Sequence, residues 1–148
     1  MAVVTADYRL SLLGPPTMVR GGKSWALPFE RRGQLVVWLA LAGTWVGRRE
    51  LAATLWPDVA GPLASNNLRK TLFRMPALPW GDAVASEGGA LRFDGDTDIA
   101  AFDQALRESR VEDALALWRG DPLAGFDDDD NEAWTDRLRE IRDRLRPT

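Results

Sequence analysis

Neither cysteine nor histidine occurs among the 148 residues. Without cysteine there is no disulfide framework, and without both residues there is no Cys/His zinc site. A Ser-His-Asp triad and a Cys-His pair are equally impossible within the chain. Long apolar runs are missing too. Leu35 to Ala42 is the longest stretch, far short of the roughly 20 residues a membrane-spanning helix needs. Met1 to Asp7 holds no basic segment leading into an apolar run, so no signal peptide is read and a cytoplasmic protein is expected. No phosphate-binding loop is read.

What acid-base material remains is carboxylate. Asp127 to Asp130 is a run of four, and Asp94, Asp96 and Asp98 alternate. The alternation begins like a calcium loop, but Ile99 stands where glycine is needed and Ala105 where the closing glutamate is needed. The aspartate run is expected to be a solvated loop leading into a helix, whose start favours negative charge. No enzymatic activity, cofactor or metal is expected.

Charge is uneven along the chain. Met1 to Phe93 holds 11 basic and 6 acidic residues, a charge of +5, and Asp94 to Thr148 holds 8 and 16, a charge of −8. A basic front and an acidic back suggest two modules with different partners. Domains are expected at 1–95 and 96–148.

Short strands are expected at Tyr8–Leu13, Thr17–Arg20 and Ser24–Leu27, separated by Gly/Pro turns. From Pro28 to Ala42 the period becomes helical, with apolar residues nearly all round and a polar start at Glu30-Arg31-Arg32 left in solvent. A shorter helix follows from Arg48 to Trp56, and a third from Pro62 to Met75, which Pro76 ends. Val84–Ser86 and Leu91–Phe93 form a hairpin about Gly88-Gly89, with Leu91 and Phe93 inward and Arg92 outward. After Asp94 the pattern is helical: Thr97–Arg110, Val111–Arg119 and Glu132–Arg146. Phe102, Leu106, Leu115, Trp118, Leu138, Ile141 and Leu145 are expected inward.

Helix, helix, helix, hairpin is the order of a winged helix-turn-helix, whose second helix of the pair lies in the major groove. The fold class read here is α+β. N-terminal antiparallel strands open this domain, the wing hairpin closes it, and an all-α segment follows. With Leu68 at the centre of the inward face of helix 62–75, Ala64, Leu72 and Met75 lie within about 40° of it. Asn66, Arg69, Lys70 and Phe73 then point outward, with Asn67 and Arg74 on the flanks and no acidic residue among them. Asparagine matches adenine edges, arginine guanine edges, and either cation matches phosphate. An outward Phe73 can touch a thymine methyl, but it is expected to pack against a neighbouring domain or subunit. Arg92 is the basic residue available to the wing, with Glu87 unfavourable beside it. Arg31, Arg32, Arg48 and Arg49, at helix starts, are further candidates for phosphate contact.

Four segments carry a family resemblance: "LSLLGPP" from Leu10, "WALP" from Trp25, "LAATLWPD" from Leu51 and "ASNNLRKTLFRM" from Ala64. They resemble the amino-terminal, OmpR-type winged-helix domain of Streptomyces antibiotic regulatory proteins (SARPs). "TDIAAFDQAL" from Thr97, "ALALWRGDPLAGF" from Ala114 and "EAWTDRLREIRDRL" from Glu132 resemble the start of the bacterial transcriptional activator domain, which implies an all-α, TPR-like segment there. The resemblance implies a sequence-specific transcriptional regulator, an activator, that binds double-stranded DNA. RNA polymerase and a second copy of the chain are the further implied partners, with no membrane. It picks out Asn66, Asn67, Arg69, Lys70 and Arg74 as DNA-facing. One departure is that Met75-Pro76 ends the recognition helix where the family's helix continues with more arginine. The alternative is an interaction module that kept the fold and lost DNA binding, with the acidic half covering Arg69 and Lys70 as an internal mimic of DNA.

Overall fold

The computed structural model describes residues 8–145. Met1 to Asp7 and Arg146, on which expectations were placed above, lie outside them. The contacts divide the chain into two compact units, residues 1–27 with 95–126, and residues 28–94 with 127–148. The chain passes between units after Leu27, Asp94 and Phe126.

The first unit is a sheet with a helical pair. Strands β1 (Tyr8–Ser11), β2 (Thr17–Arg20) and β3 (Lys23–Ala26) form an antiparallel meander. Gly22-Lys23-Ser24, the closest sequence approach to a phosphate loop, lies at the β2–β3 turn with no helix after it. The outer strand β7 (Gly95–Thr97) pairs parallel to β1 and gives the order β3-β2-β1-β7. Helix α4 (Asp98–Arg107) follows at once, its N-cap Thr97 accepting the Ala100 N–H through Oγ1 at 3.1 Å. Asp98, 2% exposed, turns inward and accepts the N–H groups of Leu12 (2.6 Å) and Leu13 (3.0 Å). The loop after β1 is also held by N–H donation from Arg119 to the Leu13 carbonyl and from Leu123 to the Leu12 carbonyl. The carboxylate that resembled a calcium ligand is thus a backbone clamp.

Helix α4 packs on α5 (Val111–Leu117). Here an expectation fails. Leu106 and Leu115 were placed inward, but they are 47% and 65% exposed. Ile99, Ala105 and Ala114 are buried instead, and Phe102 meets Trp118 at 5.9 Å between ring centroids. Alanines let the two backbones approach, and the larger side chains are turned outward.

The second unit is built around α1 (Arg31–Ala42), whose Leu35, Val36, Val37 and Leu39 are fully buried. Next come β4 (Val46–Gly47), α2 (Arg48–Leu55), α3 (Gly61–Arg74), two single 3₁₀ turns (Met75–Ala77 and Gly81–Ala83), and the hairpin β5 (Val84–Glu87) and β6 (Ala90–Phe93). The three-stranded sheet has the order β4-β6-β5. The two-residue hairpin loop has φ of 51° at Gly88 and 72° at Gly89, the double positive φ a type I′ turn requires. Leu91 and Phe93 are buried and Arg92 is on the other face, as the alternation requires.

Helix α6 (Glu132–Leu145) completes this unit rather than the first. Trp134, Leu138, Ile141 and Leu145 are buried, and Trp134 stacks on Trp38 at 6.0 Å. Asn131 begins the helix by accepting the Trp134 N–H, while its own amide donates to the Thr54 carbonyl at the end of α2 (2.8 Å). Arg137 donates to the Leu41 carbonyl at the end of α1. The aspartate run is only partly solvated. Asp127 takes a two-pronged contact from Arg142 (2.6 and 3.2 Å), which holds its carboxyl below the usual aspartate value. Asp128 accepts from Gln34 and lies 3.6 Å from Arg31. Among the described residues no helix is long and apolar enough to cross a membrane.

Candidate nucleic-acid interface

Every candidate residue on the third helix, at its start neighbours and on the hairpin belongs to the second unit. Helix α3 packs chiefly on α2. Its inner face is Ala64 and Leu68, both 2% exposed, followed by Met75 just past its end. Leu72, expected inward, is half-buried. The opposite arc presents Arg69, Lys70, Phe73 and Arg74 to solvent, with Asn66 and Asn67 half-buried beside them. No Asp or Glu occurs between Gly61 and Arg74, so no carboxylate on the helix neutralises this face. Arg69 Nη2 donates to Asn66 Oδ1 at 2.5 Å one turn back, which leaves the Asn66 amide N–H groups pointing away from that bond. Thr71 donates to the Asn67 carbonyl, tying the middle of the helix to itself.

A cleft of about 460 Å³ joins this arc to the start of α2. Arg48, Ser65, Asn66 and Arg69 line it, so three of the expected residues meet at one place. Arg48 is anchored there twice. Its backbone N–H donates to the Gly89 carbonyl, and its Nη2 donates to Ser86 Oγ at 2.9 Å. The short pairing of Val46 with Leu91 and Gly47 with Ala90 produces that arrangement by carrying the first residue of α2 to the hairpin turn. The hairpin and the α2 start are therefore one structural piece, which sequence reading treated as two.

Arg49 is exposed and lines a second cleft of about 640 Å³ with Ala53, Trp56, Pro62 and Ser65, at the turn between α2 and α3. Arg92 is placed differently from the expectation. It is half-buried, its guanidinium lies 4.7 Å from the centre of the Trp45 ring, and its Nε is buried without a hydrogen-bond partner. Its charge is spent on an indole face, not held out from the hairpin tip. Arg31 and Arg32, expected in solvent, are half-buried. Arg31 lies over Trp56 and donates to Gln34 (2.5 Å), and Arg32 pairs with Glu30. Sequence reading also missed Trp45, the ring beneath Arg92, because a lone aromatic in a turn carries no periodic signal. Phe73, expected to pack on a neighbour, is 86% exposed.

The fold as a whole has a known likeness. A solved structure of Mycobacterium tuberculosis EmbR, in complex with a low-affinity phosphopeptide, is similar over 94% of this chain, with a TM-score of 0.58 and 18% identity. This chain spans 42% of the EmbR chain. No family model matches the sequence, and no curated protein matches it either. The likeness is one of fold, with strands and six helices in a mixed α/β arrangement.

Proposed function

We propose that the chain is a DNA-binding transcriptional regulator of the SARP type, an activator in which α2 and α3 form a helix-turn-helix. Helix α3 enters the major groove, and the β5–β6 hairpin lies on the sugar-phosphate backbone as the wing. The observation that carries this reading is the outer face of α3, where Arg69, Lys70 and Arg74 are exposed, Asn66 lies beside them, and the helix holds no carboxylate. Solvated helix faces ordinarily mix both charge signs; a purely cationic and amide face suits phosphates and base edges. Backbone contact at the rim falls to Arg48 and Arg49, since Arg48 is already fixed between the cleft and the hairpin turn.

Fluorescence anisotropy on a mixed-sequence duplex across a salt series tests this. Binding is expected to weaken steeply with salt. Arg69→Ala/Lys70→Ala is expected to bind more weakly, with a slope of log K against log salt shallower by about 2, since each lost phosphate contact removes about 0.9. A folded chain that shows no binding at low salt overturns the reading in favour of a protein-interaction module.

A further inference from the structure

Phe73 is left with 86% of its surface in solvent on the most strongly cationic face described above. Exposing a ring of this size forgoes roughly 1.5–3 kcal/mol of burial. The residue therefore does nothing for the fold that a polar residue would not do better. Its neighbours narrow the class of partner. Arg69, Lys70 and Arg74 surround it, and α3 holds no acidic residue. A partner that covers the ring meets these cations as well, so one that is anionic around its rim and apolar at one point suits this face. The major groove has that character where a thymine C5-methyl stands between two phosphate rows.

Helical geometry then gives a spacing. Phe73 is seven residues after Asn66, hence about 20° away around the helix and about 10.5 Å further along it. Base pairs are stacked about 3.4 Å apart. A helix lying along the groove runs oblique to the DNA axis, so with Asn66 on one base edge it carries Phe73 to an edge roughly two to three base pairs away. Resting on the reading of α3 as the groove-binding helix, we propose that Phe73 is a specificity-determining residue that packs on a thymine methyl, about two to three base pairs from the base met by Asn66.

The experiment begins with selection of a preferred duplex from a randomised pool by the full chain. Each thymine of that duplex is then replaced singly by uracil, which lacks only the methyl group, and affinity is measured for the wild type and for Phe73→Ala. One position is expected to weaken wild-type binding roughly fourfold, the worth of one buried methyl, and to leave Phe73→Ala unaffected. The salt slope is expected to be equal in the two proteins, because no charge has changed. Site-selective binding with no methyl-sensitive thymine, or with the same sensitivity in Phe73→Ala, overturns the assignment while leaving the DNA reading intact. Concentration-dependent self-association that Phe73→Ala abolishes also overturns it, and gives the ring to a second copy of the chain. Absence of any DNA binding by the wild type removes both readings together.

Discussion

The carboxylate of Asp98 sits buried with two backbone N–H donors against it and no basic side chain hydrogen-bonded to it among the described residues. Burial pushes its carboxyl above the ordinary aspartate value, and the Leu12 and Leu13 N–H groups and the Arg119 charge only partly counter this. Between the ordinary and the raised value, the folded unit holds a proton that the unfolded chain has released. Stability from this residue therefore falls as pH rises through that window. Asp98→Ala leaves two buried donors unmet, at roughly 1–3 kcal/mol each, offset by release of a buried charge. Urea unfolding is expected to show a net loss of about 3 kcal/mol at neutral pH, and a wider gap to wild type as pH is lowered through the window. A gap independent of pH would contradict the raised value. Neither role was legible in the sequence, where Asp98 looked like one member of an alternating acidic triplet. The clamp joins residues 86 positions apart, and local pattern carries no information at that distance.

At the scale of elements, α3 was the most legible piece. One apolar stripe, a first-turn proline and a terminal Pro76 fix its limits, and the outer arc follows from 100° per residue. Helices α4 and α5 were read in the wrong phase because leucines outrank alanines in any hydrophobic count, whereas Ala105 and Ala114 make the close contact. Strand β4, two residues long, is too short for any periodic signal, and with it went the link between the α2 start and the hairpin. The segment after α3 depends on Gly81. A Cβ there would stand 1.9 Å from the Met75 carbonyl oxygen and 2.6 Å from its carbon. Both are backbone atoms that no rotamer change can move. Gly81→Ala is expected to cost at least about 3 kcal/mol, beyond ordinary overpacking. Its thermal unfolding should show this, and a melting temperature within a degree of wild type would exclude the clash.

For the whole molecule, the division of charge read along the chain does not survive folding. The second unit holds 13 basic and 14 acidic residues, and the first 6 and 8, so the units carry −1 and −2. Helix α3 itself holds three cations, Arg69, Lys70 and Arg74, and no carboxylate. Long-range steering toward an anion is accordingly weak, and affinity must come from contacts at short range. Within the second unit Arg69 and Lys70 are exposed, and its acidic tail forms α6, part of the core beneath α1 and α2. Trp134, 0% exposed and stacked on Trp38, makes that testable. Trp134→Ala is expected to cost about 3–5 kcal/mol and to reduce the near-ultraviolet circular dichroism of the folded unit. If truncation after Asp94 instead gave a stable fragment, α6 would be dispensable.

Trp38 and Trp134 stand 96 positions apart in the chain and touch in the finished unit. During synthesis the segment up to Asp94 emerges with α1, α2 and α3 already present, yet the tryptophan that closes their core is still to come. A further 32 residues, Gly95 to Phe126, which belong to the other unit, must leave the ribosome first. The unit that presents the cationic helix is therefore the later of the two to be completed, and its nascent core must stay unpaired, or be shielded by a chaperone, for some seconds at ordinary elongation rates.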